Sequence, residues 1–66
     1  MPKTIEELAA MIAERDGISY EEALIIIRDT AADMEYAFYN GRLDEAEDIL
    51  RESLGLEPDY LDLFIF

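Results

Sequence analysis

The chain has no cysteine and no histidine, and only five basic residues among 66. Without cysteine there is no disulfide, no thiolate nucleophile and no thiolate metal site. Without histidine, the commonest zinc ligand and the commonest general base are gone. The five bases, Lys3, Arg15, Arg28, Arg42 and Arg51, face 17 acids, which leaves a formal net charge of −12. A surface of that sign repels phosphate and attracts basic protein surfaces, so direct binding to nucleic acid or to an anionic membrane is not expected. The alternative reading is that the charge serves only solubility.

Long apolar runs are also missing. No segment approaches the ~18 consecutive residues of a membrane span. The opening "MPKTIEELAA" carries one lysine and no apolar core of the kind a secretory signal needs, so a cytoplasmic protein is expected. Yet hydrophobic residues make up 52% of the chain, far too many for a disordered acidic tail. The expectation is one folded domain over residues 1–66. So short a chain has a marginal core, and a dimer interface is one way to add buried area.

The punctuation points to helices. Gly17, Gly41 and Gly55 each follow an amphipathic stretch, and Pro2 and Pro58 sit where a helix begins. Capping-box pairs stand at Thr4 and Glu7, Ser19 and Glu22, and Asp44 and Glu47. No stretch sustains strand alternation. These marks predict an all-α fold: a compact bundle with helices over about 4–15, 19–40 and 44–54 and a short C-terminal helix over 58–65. Helices two and three form an antiparallel hairpin.

Amphipathic faces follow. Helix one groups Ile5, Leu8, Ala9 and Ile12, and helix three groups Leu43, Ala46, Ile49 and Leu50. In helix two a core stripe is expected from Tyr20, Leu24, Ile27, Ala31, Met34 and Phe38, widened by Ala23, Ile26, Thr30 and Ala37. A second apolar stripe, Ile25, Ala32, Tyr36 and Tyr39, falls on roughly the opposite face, beside Arg28. One core cannot hold both, so the C-terminal tail or another molecule is expected to cover the second. The alternative is that its tyrosines and alanine are simply tolerated at the surface.

The tail "YLDLFIF" poses the same question. Leu61 with Phe64 or Ile65 is expected to fold back beside helix two, with Phe66 at the rim because its carboxylate must reach water or a cation. Phe64 and Phe66 therefore join Ile25, Ala32, Tyr36 and Tyr39 as candidate apolar partner-binding residues.

Residues 41–58, "GRLDEAEDILRESLGLEP", resemble the second half of a tetratricopeptide repeat. Gly41, Leu43, Ala46, Leu50, Ser53 and Pro58 match that family's pattern in register. Where the family packs a small residue in the preceding helix, this chain has Met34. The resemblance implies a helix–turn–helix hairpin. It does not imply a solenoid, which needs at least three copies of a ~34-residue unit. In size, charge and style the chain also resembles the small acidic helical proteins encoded by phages and other mobile elements.

Catalytic chemistry has little to work with. Thr4 and Ser19 are accounted for as caps, and neither a G-x-S-x-G motif nor a P-loop occurs. Adjacent acids such as Glu6 and Glu7 point about 100° apart on a helix and do not converge. Asp29 with Asp33, or Asp44 with Asp48, has the spacing to share a cation, but no EF-hand loop is present. No catalytic residue, cofactor or metal is expected.

The acids do form patches: Asp29 and Asp33 on helix two, and a strip of Glu45, Asp48 and Glu52 on helix three. Either these are solvated faces, or they occupy the basic groove of a nucleic-acid-binding protein. Two functions stay open. One is a non-enzymatic module that binds a basic protein partner stoichiometrically, such as an inhibitor or antitoxin-like protein. The other is a homodimeric assembly module whose acids only keep it soluble.

Overall fold

The computed structural model describes residues 1–64. Its elements in order are α1 (Ile5–Asp16), α2 (Tyr20–Tyr39), α3 (Leu43–Leu54) and a 3-10 helix (Pro58–Phe64). Among the described residues there is no strand. The all-α bundle and the α2–α3 hairpin are thus as the sequence pattern predicts. Ile65 and Phe66, and with them the expected position of the chain's end, lie outside the described residues.

Local chemistry sets the helix boundaries. The Thr4 hydroxyl oxygen accepts a hydrogen bond from the Glu7 backbone N–H (3.1 Å), and the Ser19 hydroxyl oxygen accepts one from the Glu22 N–H (3.0 Å). The third expected cap does not form. α3 starts at Leu43, so Asp44 lies within its first turn, and Arg42 at the cap position makes no side-chain capping bond. An acid there is still favoured, because it faces the positive end of the helix dipole.

At the end of α2, Gly41 adopts φ 72, a left-handed conformation that costs glycine nothing. This lets the Gly41 N–H reach the Phe38 carbonyl and the Arg42 N–H reach the Ala37 carbonyl, at 3.0 and 2.9 Å. The two bonds make a Schellman closure that reverses the chain into α3. The Asn40 side chain also donates to the Tyr36 carbonyl (2.7 Å).

The core is one cluster: Leu8, Ala9 and Ile12 from α1; Ala23, Ile27, Met34 and Ala37 from α2; Ala46, Leu50 and Leu54 from α3; and Leu56 and Phe64 beyond it. α2 is the spine, packed against both α1 and α3. At about 1.5 Å per residue it is about 30 Å long, and its partners about 18 Å. The short turns at 17–19 and 40–42 send α1 back along its first half and α3 back along its second.

This geometry corrects the expected core stripe. Ala23, Ile27, Thr30, Met34 and Ala37 form the buried line, with Leu24 and Ala31 partly buried beside it. Tyr20 and Phe38, at the two ends of α2, are exposed because they lie about 60° from the centre of that buried line. Ile26 is exposed at the edge of the buried arc. Likewise Leu43 is exposed at the open start of α3, whereas Ala46 and Leu50 are fully buried.

The tail is part of the fold, as a 3-10 helix packed chiefly on α3. Phe64 is only 5% exposed, and Leu61 and Leu63 are half-buried against the core. Phe64 is therefore a core residue and not a contact free for a partner. Its ring adds apolar area to a core that a chain of this length keeps small.

Candidate functional site

With the tail on α3, nothing in the described chain covers the outward face of α2. Ile25 is 58% exposed, Tyr36 76% and Tyr39 67%, and Ala32 is exposed between them. The structure thus brings four of the six candidate apolar residues onto one open face. It removes Phe64 from the set, and Phe66 lies outside the described residues. At the end of this face Tyr39 also meets the Phe38 ring edge-on, with centroids 5.8 Å apart.

The acidic candidates divide into two kinds. On α3, Glu45 is paired with Arg42 (3.2 Å) and Asp48 with Arg51 (2.7 Å). The strip Glu45, Asp48, Glu52 is therefore partly neutralised by its own helix. These pairs are exposed and contribute little to stability, but they reduce the charge the strip presents. On α2, Asp29 and Asp33 are exposed, and no arginine or lysine among the described residues pairs with either. Of the candidate acids, Asp29, Asp33 and Glu52 are thus without an ion pair, and the first two sit on α2 beside the exposed apolar residues.

Arg15 escaped the sequence reading. Its guanidinium donates to both Asp16 carboxylate oxygens (2.8 and 3.0 Å) and to the Leu54 carbonyl (2.8 Å). Gly55, at φ 67, closes α3 with a single backbone bond to Arg51, and Arg15 takes the Leu54 carbonyl. The hydrogen bonds from Arg15 hold the Asp16 carboxyl below its ordinary range. This pair ties the end of α1 to the end of α3 across 39 residues, a separation no local motif reveals.

Among the described residues no three acids gather closely enough to hold a metal ion, and no helix is long and apolar enough to cross a membrane. The chain matches no family model, and neither the curated proteins nor the solved structures yield a match.

Proposed function

We propose that this chain is a small non-enzymatic protein-binding module that acts stoichiometrically on a partner with a basic surface. The carrying observation is the outward face of α2, where Ile25, Tyr36 and Tyr39 stand exposed next to acids without ion-pair partners. Exposed aromatics anchor interfaces, and uncompensated charge steers and selects the partner. In its sharper form the reading makes the partner a cytoplasmic nucleic-acid-handling protein, inhibited when the acidic surface fills its phosphate-binding groove. An origin in a phage or mobile element suits that role.

The test is capture from the native host with tagged wild-type chain and with an Ile25→Lys, Tyr36→Lys double variant. The reading expects a basic protein captured at one-to-one stoichiometry by the wild type and lost with the variant. Its nucleic-acid binding should fall as the chain is added. Equal capture by both, or a partner without a basic surface, would overturn it.

A further inference from the structure

The outward face of α2 has a finer order than an apolar stripe. Glu22, Ile25, Asp29, Ala32, Tyr36 and Tyr39 follow one another at steps of three, four, three, four and three. All six are exposed. That alternation is the spacing of a helix–helix packing seam, which keeps one narrow line of side chains facing a second helix. From Glu22 to Tyr39 the seam runs about 26 Å, nearly the whole of α2. The seam is also polar at one end. Its first half carries two acids, with Ile25 between them. Its second half is Ala32 and two tyrosines, and the small Ala32 lets a facing backbone approach.

We propose that this seam receives an amphipathic helix of the partner, with two Lys or Arg residues seven apart facing Glu22 and Asp29 and apolar side chains facing Ala32, Tyr36 and Tyr39. The inference rests on the protein-binding reading above and specifies its ligand. Asp29 decides the occupant. It lies inside the seam, so a helix docked there removes its carboxylate from water, and a buried carboxylate needs a cation. The seam of a second copy contains no base of its own, Arg28 lying beside the line and not in it. Parallel pairing sets Asp29 opposite Asp29 and Glu22 opposite Glu22. Antiparallel pairing in full overlap sets Asp29 opposite Ala32 and brings the two Asp29 side chains within about one turn of each other. Either arrangement also joins two chains of net charge −12.

The experiment titrates isotope-labelled full-length chain with a synthetic helical peptide and maps amide shifts by NMR. The peptide is about 18 residues long, enough to span the seam, with Leu and Ala at seam positions and two Lys seven apart. A control peptide of equal composition carries those Lys on its opposite face. The expected result is saturable binding with shifts confined to the outward side of Glu22–Tyr39. The control should bind about tenfold more weakly, and Asp29→Asn should remove most of that preference. Asp29→Asn is a surface change, and unchanged circular dichroism will show that it folds. Binding centred on α3, or equal binding of both peptides, would overturn the seam while leaving an acidic binding module standing. Failure of both peptides to saturate the chain, together with loss of the host partner's capture, would overturn both.

Discussion

α2 has two apolar faces of similar make-up and opposite fate. Ala23, Ile27, Met34 and Ala37 are buried, and Ile25, Ala32, Tyr36 and Tyr39 are exposed. Each has an isoleucine and an alanine, and the outward face adds two tyrosines, whose hydroxyls tolerate water. Geometry and charge separate them further. The buried face carries only Thr30 as a polar residue, and it meets α1 and α3 because two short turns fold them onto it. The outward face has acids within its line, so it could not join a core without burying charge. Uncovered apolar surface interleaved with acids is what the proposed protein ligand would cover.

The comparison breaks first at its buried side. Ile27→Asp places an unpaired charge in the centre of the core. It should cost at least about 4 kcal/mol, a large share of the ~5–15 kcal/mol of a typical domain. Circular dichroism should show no cooperative melt, and a retained sharp transition would mean that the core is not where it is described. Phe64→Ala should cost about 3 kcal/mol, read by urea denaturation. Tyr36→Ala, an exposed aromatic, should stay within about 0.5 kcal/mol of the wild type. Equal losses for the two would erase the distinction between tail and outward face.

Smaller effects sharpen the same frame. Gly55→Ala forces a left-handed residue to carry a Cβ and should cost about 1–2 kcal/mol. The added methyl would lie 3.7 Å from the Arg15 guanidinium, an ordinary contact, so backbone conformation accounts for the loss. Arg15→Ala leaves the Leu54 carbonyl without its donor and should cost about 1 kcal/mol in the same denaturation assay. The partner of that arginine gives a signed pH effect. Asp16 has its folded-state pKa lowered, first by the hydrogen bonds from Arg15. Its contribution is complete above the ordinary carboxylate value of about 3.9 and is lost as pH falls through the lower folded value. Asp16→Asn should therefore flatten the acid limb of the stability profile slightly and leave neutral pH almost unchanged.

Much of the fold is legible in the sequence because its determinants are local. Thr4 and Ser19 cap, Gly17, Gly41 and Gly55 close helices, and each acts within a few residues of its own position. Asp44 misleads because an acid is welcome both at a cap and in a first turn, and only the backbone tells the two apart. Tyr20 and Phe38 mislead because they lie at the edge of the buried arc, where periodicity alone does not divide core from surface. The candidate site is half legible. Ile25, Ala32, Tyr36 and Tyr39 follow from periodicity alone. That Phe64 packs into the core, and that Glu45 and Asp48 of α3 pair with Arg42 and Arg51 while Asp29 and Asp33 of α2 have no such partner, depends on tertiary placement and on side-chain geometry. Arg15 reaching Leu54 depends on two chain reversals between them.

The central claim is that the outward face of α2 stands free of the chain's own fold and of its own copies, and is kept for a different protein. Sedimentation equilibrium of the pure chain at physiological salt, from micromolar to millimolar concentration, tests it most directly. The account predicts the monomer mass of 7.6 kDa throughout. A mass that climbs toward twice that value, and returns to the monomer with Ile25→Lys and Tyr36→Lys, would contradict it.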